Sequence, residues 1–207
     1  MNALLFDFDG TLADTYSMFV EAINAAATEY WFEQITEANY TALQAMDQRY
    51  VLRALGAPFW KRWSVGSRIK QYMYDHRDRI RLFPWVESMI KHLAVHNELF
   101  VISANRFDIV HTVLEAYGLS SYFTEYIGTN SFFSKARRIK TLISHHNLEP
   151  LHTRYVGDEV RDIVASNDAW IRCIAVSRWY NTKEYLANHS PYRIADTMVD
   201  LESYTKF

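Results

Sequence analysis

The sequence predicts an α/β fold: a parallel sheet covered on both faces by helices, with an α-helical cap inserted after the first strand. Three observations carry this expectation. Short apolar runs alternate with helical patterns over the last 125 or so residues of the chain. Residues 14 to about 82 break that rhythm with helical patterns alone. Two aspartates, Asp7 and Asp9, close the first apolar run, where a strand would end.

Taken in order, "ALLF" (3–6), "ELFVIS" (98–103), "TRYVG" (153–157) and "RCIAVS" (172–177) are compact, β-branched or aromatic runs that read as buried strands. "YIGT" (126–129) and "YRIAD" (192–196) are weaker candidates. Between them lie helical patterns at 85–96, 107–118, 135–146 and 161–170. Gly118 and Asn147 stand where helix C-caps belong, and Pro84 stands just before a helix start. Strands alternating with helices imply a parallel sheet buried on both faces. A single crossover needs only one helix, so the block between the first two strands reads as an insertion. The expected division is a core of residues 1–13 and 83–207 with a cap of residues 14–82.

The bulk numbers narrow the classes. The chain has 207 residues, 49% hydrophobic and 22% charged, which suits a packed globular protein rather than a disordered one. A net charge of −2 supplies no field for gripping nucleic acid. The one cysteine, Cys173, excludes an internal disulfide and a zinc site built on thiolates, and it reads as a small core residue. There is neither a basic leader followed by a long apolar stretch nor a run of 18 apolar residues, so a cytoplasmic protein with no membrane segment is expected.

Side chains at i and i+2 of a strand point the same way, so Asp7 and Asp9 can face one site while Phe8 packs behind them. Gly10 and Thr11 then turn the chain. In open α/β sheets the ligand crevice lies at these carboxyl ends. Three other places in the chain deliver polar groups there: Ser103 with Asn105 after "VIS", Asp158 with Asp162 in "YVGDEVRD", and Lys135 in "FFSKARR". Four acids, a hydroxyl and an ammonium make a site for a hard divalent cation and a phosphoryl group. An all-oxygen donor set points to Mg²⁺.

"DFDGTL", the serine of "FVIS", Lys135 and "GDEVRD" resemble the four motifs of the haloacid dehalogenase superfamily of hydrolases, and the likeness runs along the whole chain. It is strongest to the phosphoglycolate phosphatase-like branch. The resemblance implies a Rossmann-like parallel sheet core with an inserted α-helical cap. It implies that Asp7 is the nucleophile and Asp9 the general acid and base. Mg²⁺ would be held by Asp7, the Asp9 backbone carbonyl and Asp158, with Asp162 supporting the metal shell or Lys135. Ser103, Asn105 and Lys135, with Gly10 and Thr11, would bind phosphate; Lys140, one helical turn on, is a rival to Lys135. Asp9 argues against dehalogenation, because a departing halide needs no proton. The expected activity is hydrolysis of a small phosphomonoester, phosphoglycolate-like or a sugar phosphate, through an aspartyl-phosphate. The expected partner is a small-molecule phosphate ester, with no nucleic acid and no membrane, and the chain a monomer or homodimer. The alternatives are a phosphomutase on the same scaffold and a non-hydrolytic binding protein.

Several residues depart from the pattern or have plainer roles. Trp170 replaces a glycine usual before the fourth strong strand, a change expected to alter a turn away from the metal cluster and with it packing only, and Tyr180 replaces one in "RWYN", near the expected mouth of the site. Asp14 reads as the N-cap of the first cap helix. His92 and His96 have metal-ligand spacing but no third ligand. His145 and His146 read as cations favoured at a helix C-terminus. "HRDRIRLF" reads as a solvated helix face, and "YWF" (30–32) with Phe59, Trp60 and Trp63 as cap core.

Overall fold

Six strands lie side by side, all parallel, in a computed structural model that describes residues 2–128, 135–177 and 180–206. They are β1 (Asn2–Phe6), β2 (Asn97–Ser103), β3 (Phe123–Gly128), β4 (Thr153–Gly157), β5 (Arg172–Val176) and β6 (Arg193–Ala195). The order across the sheet is β3-β2-β1-β4-β5-β6. The chain therefore winds outward from β1 to β3, then returns to the other side of β1 and winds out again. The reversal falls between β1 and β4, which pair in register from Ala3 with Thr153 to Phe6 with Val156. Thr129, the last residue of the expected third strand, lies outside the described residues.

Alternation along the strands sends side chains to two separate cores. Leu4, Phe6, Leu99, Val101, Val156 and Ile174 face one cluster. It is covered by α5 (Val86–Leu93), α6 (Phe107–Ala116) and α10 (Met198–Tyr204). Ala3, Leu5, Phe100, Ile102, Tyr155 and Cys173 face the other. There α7 (Lys135–His145), α8 (Val160–Asp168) and α9 (Lys183–Ala187) pack. Both faces being covered, the strands are apolar on both sides, which is why they read as continuous hydrophobic runs.

Between β1 and β2 lie α1 (Tyr16–Tyr30), α2 (Glu37–Gln44), α3 (Gln48–Ala54) and α4 (Arg62–Asp75). They enclose an apolar cluster of their own, in which Ala22, Ile23 and Ala26 of α1 meet Val65 and Ile69 of α4. The chain leaves and re-enters the sheet region through one neck. The Asp14 amide donates to Arg81 O at 2.8 Å, and the Phe83 amide to Leu12 O at 3.0 Å.

Four expectations need correction. The aromatic stripe is core only in part: Tyr30 and Phe32 pack against the apolar cluster of α1–α4, whereas Trp31, Phe59, Trp60 and Trp63 are 78–89% exposed. Trp31 lies past the end of α1 in a left-handed conformation, and Trp63 is out of phase with the buried Val65 and Ile69. Asp14 does not cap α1. Thr15 holds the N-cap position, and Asp14 is exposed. "HRDRIRLF" is not a helix face, because α4 stops at Asp75; a single 3₁₀ turn follows, and Ile80, Leu82 and Phe83 then insert into the sheet's own core. The helix expected at 85–96 is shorter, leaving His96 in a turn.

Trp170 does not pack: it is 84% exposed at φ 62. Its amide donates to Asn167 O at 3.0 Å and the next amide to Ser166 O at 3.1 Å, so it occupies the left-handed position that closes α8. Gly118 and Asn147 close α6 and α7 in the same conformation. A bulky residue is disfavoured there by about 1 kcal/mol. Trp170→Gly should therefore raise stability by about 1 kcal/mol in urea denaturation with catalytic activity unchanged.

Candidate active site

The site forms where β1 and β4 end, on either side of the sheet's reversal. The Asp7 amide extends the ladder one residue past β1, donating to Val156 O at 2.9 Å, and this places the buried Asp7 carboxylate at the crevice floor. Its Oδ1 accepts the Phe8 amide at 2.9 Å, and its Oδ2 accepts Lys135 Nζ at 2.9 Å. Lys135 sits in the first turn of α7, almost wholly buried, and makes a second ion pair with Asp162. Burial opposes its charge, yet Asp162 and Asp7 together hold its pKa above the usual lysine value. Lys140 is exposed and lines a surface furrow with Arg137 and Thr141, so Lys135 is the lysine that reaches Asp7.

Asp158 and Asp162 arrive from β4 and the start of α8. Asp162 Oδ2 accepts the Glu159 amide at 3.0 Å, capping α8, while Oδ1 takes Lys135. A Cβ on Gly157 would lie 2.4 Å from Asp162 Oδ2, so the glycine of "GDEVRD" is a steric requirement of that cap. Asp158 Oδ1 accepts the Thr11 hydroxyl at 3.0 Å. Its Oδ2 is buried with no hydrogen-bond partner. Gly10 adopts φ 75 against it, and a Cβ there would approach to 2.2 Å. Thr11 thus uses its hydroxyl on Asp158, and the Gly10 amide donates to Ala13 O at 2.9 Å.

Asp9 faces the open side. Asn105 Nδ2 lies 3.4 Å from both its oxygens, and Ser103 Oγ 3.5 Å from Oδ2. Ser103 Oγ in turn accepts the Asn105 amide at 2.9 Å. Burial, and after it the Asp7 charge, push the Asp9 carboxyl up to about 6. The structure thus gathers Asp7, Asp9, Gly10, Thr11, Ser103, Asn105, Lys135, Asp158 and Asp162 at one edge.

Sequence reasoning missed three neighbours. Glu159 and Arg161 form a nearly buried ion pair beside the acids, and burial pushes Glu159 up to about 7. Asn181 accepts the Val160 amide at 3.0 Å and donates to Gln44 O and Met46 O at 2.9 Å, joining α8 to the loop between α2 and α3. Glu159 and Arg161 lie inside a quoted motif, so their spacing could have flagged them; nothing in one sequence marks Asn181. Tyr180 is buried beside Gly10, its hydroxyl 3.5 Å from Thr15 Oγ1 and its ring edge-on to Tyr16. Arg178 and Trp179, the start of that segment, lie outside the described residues.

Among the described residues, five carboxylates, those of Asp7, Asp9, Asp158, Glu159 and Asp162, stand against the cations of Lys135 and Arg161, with Arg138 also acting on Asp7. This excess explains why burial and mutual repulsion raise Asp158 well above the ordinary carboxylate range. Oxygens of Asp7, Asp158 and Asp162 lie within 4.8 Å of one another. Asp7 and Asp162 each take Lys135 and one amide on their two oxygens, which leaves Asp158 Oδ2 as the oxygen of the three carboxylates without a hydrogen-bond partner. A hard divalent cation fits that all-oxygen set. A cleft of about 460 Å³ opens from Asp9 and Asn105 toward α4, with Tyr180, Arg161 and Lys70 on its walls.

A doubly covered parallel sheet, with an acidic cation-ready site at its reversal and a helical insertion above it, defines an α/β enzyme. The chain belongs to the haloacid dehalogenase-like hydrolases, whose family model matches residues 4–176. It is 29% identical over 202 residues to a phosphoglycolate phosphatase of Synechococcus elongatus, covering 97% of this chain and 95% of that one. It is 24% identical to a phosphoglycolate phosphatase of Vibrio vulnificus, covering 96% and 93%. A haloacid dehalogenase-like family hydrolase from Streptococcus pneumoniae shares the fold, with a TM-score of 0.78 and 18% identity over 100% of this chain and 99% of that one.

Two stability outcomes follow. Lys135→Met leaves Asp7 and Asp162 buried without their cation and should cost about 3–5 kcal/mol in urea denaturation; a loss below about 1 kcal/mol would mean the pair behaves like a surface one. Asp9 gains its proton more readily folded than unfolded, so its ionisation destabilises the fold progressively as pH rises from about 4 to about 6. Asp9→Asn should therefore stabilise the protein in EDTA by about 1–2 kcal/mol at neutral pH, with the gain vanishing at pH values below the unfolded pKa.

Proposed function

We propose that the protein is a Mg²⁺-dependent phosphatase that hydrolyses a small phosphomonoester, phosphoglycolate or a sugar phosphate, through an aspartyl-phosphate on Asp7. The observation that carries the reading is the set around Asp158: a buried, partnerless Oδ2 beside Asp7, with a protonatable Asp9 on the open side of the same floor. The relatives named as phosphoglycolate phosphatases support the substrate class.

Asp7 and Asp158, with the Asp9 backbone carbonyl, would hold Mg²⁺. When bound there, the ion offsets the negative charge that otherwise keeps a carboxylate and a phosphate apart. Asp7 attacks phosphorus and the bond to the ester oxygen breaks. Asp9, poised by its raised pKa, donates a proton to the leaving alkoxide. In the second step Asp9, now a carboxylate, takes a proton from water, whose oxygen attacks the phosphorus and releases Asp7. Ser103, Asn105 and Lys135 hold the non-bridging oxygens, where charge in a largely dissociative transition state needs support. Asp162 orients Lys135.

Residues 14–82 would act as the cap over this floor. The narrow neck at residues 12–14 and 81–83, and the separate apolar cluster, support a unit that can shift while the sheet stays rigid. Lys70 of α4 would meet an anionic group on the leaving side of the substrate. The reading keeps the cytoplasmic setting expected from the sequence.

The test is a panel of phosphomonoesters assayed for phosphate release with Mg²⁺, with EDTA and with Asp7→Asn. Turnover should require Mg²⁺ and fall at least about 10³-fold in the variant. Near-normal turnover by Asp7→Asn would overturn the mechanism. A flat panel, with the protein itself phosphorylated, would move the assignment to a mutase.

A further inference from the structure

A second group of metal-type ligands stands far from the acids. Glu125 of the edge strand β3 shares a face with Ile127, which packs into the cluster under α7. His145 ends α7 and His146 follows it. His146 Nε2 lies 2.7 Å from Glu125 Oε2, and His145 Nδ1 lies 3.7 Å from the same oxygen. One ligand atom from each of the three falls within 4.8 Å of the others. Since α7 begins at Lys135, an 11-residue helix puts this group about 15 Å from the phosphate lysine.

Two imidazoles converging on one carboxylate oxygen are more than an ion pair needs. His146 alone gives Glu125 Oε2 a hydrogen-bond partner, and His145 Nδ1 at 3.7 Å is too far to be a second one. A cation shared by the two imidazoles and the carboxylate would engage all three groups. The positions are also held: the His146 ring stacks edge-on against buried Phe100 at 4.9 Å, and the left-handed turn at Asn147 fixes the end of α7. Glu125 pairs with Phe100 of β2, just past a shift of register between β2 and β3. His145 is the exposed member, its ring edge-on to that of His146 at 4.8 Å.

We propose that Glu125, His145 and His146 form a second metal site, selective for a borderline transition ion of the Zn²⁺ or Co²⁺ type, with one coordination position open to solvent. Two nitrogens and one carboxylate oxygen match the preference of such ions. Mg²⁺ and Ca²⁺ want more oxygens. The adjoining furrow carries Arg137 and Lys140, which disfavour a cation held by charge alone and so favour one held by nitrogen donation. An ion there would tie edge strand β3 to the end of α7.

The site is separable from the acidic centre by experiment. The full chain, with Mg²⁺ in excess, is titrated with Zn²⁺ by calorimetry and with Co²⁺ by visible absorption. One Zn²⁺ per chain is expected, with Co²⁺ ligand-field bands of nitrogen–oxygen coordination. His145→Ala and Glu125→Gln should each weaken Zn²⁺ binding by about tenfold or more and diminish the Co²⁺ bands, whereas Asp158→Asn should leave both unchanged. His145 is exposed, so its alanine variant tests the site without threatening the fold. Absence of Zn²⁺ binding, binding undisturbed in His145→Ala, or binding lost in Asp158→Asn would each overturn the proposal.

Discussion

Lys135 is the hinge of the electrostatics. Its ammonium lies between Asp7 and Asp162, and without it the carboxyl edge of the sheet would hold a cluster of buried carboxylates in which these two lose their ion-pair partner. Burying a charge is tolerable only when it is paired and hydrogen-bonded. Around that ammonium the details line up. The Asp7 ladder bond sets its carboxylate, the α8 cap sets Asp162, and Gly157 leaves the room that cap needs. Lysine and helix start coincide, so the helix that covers one face of the sheet also delivers the cation.

One ammonium does not balance the site. Asp158 keeps an oxygen without a partner, and its environment favours the protonated form. The same excess of negative charge that makes this edge unstable by itself makes it receptive to a divalent ion. It also separates the two aspartates of the first motif. Asp7 lies on the floor, neutralised by Lys135; Asp9 lies toward the cleft, with weaker hydrogen bonds and a raised pKa. Two like residues, two positions apart, acquire different chemistry from their surroundings alone.

The helical insertion adds a second constraint. Its apolar cluster is separate from both sheet cores, and the polar bonds of Asn181 attach its far side to α8. Tyr180 fills the space between Gly10 and α1. A bulky ring there narrows the mouth next to Asp158 and joins the core to the insertion.

Apolar runs and the spacing of polar residues at their ends were sufficient to place the strands, both faces of the sheet and the main acids, because burial on two faces and turns at strand ends impose short-range patterns. The choice of Lys135 over Lys140 was not legible, since both occupy one helix and only packing against Asp7 separates them. The exposed tryptophans were misjudged for a related reason: hydrophobicity says what a residue prefers, and helix phase and end geometry decide what it touches. By itself the sequence determined the α/β order, the helical insertion and the acidic strand ends. Tertiary structure alone decided the ion pairs, the orphaned Asp158 oxygen, the bonds of Asn181 and the meeting of Glu125 with His145 and His146, because each joins residues that only the folded sheet brings within a few ångströms.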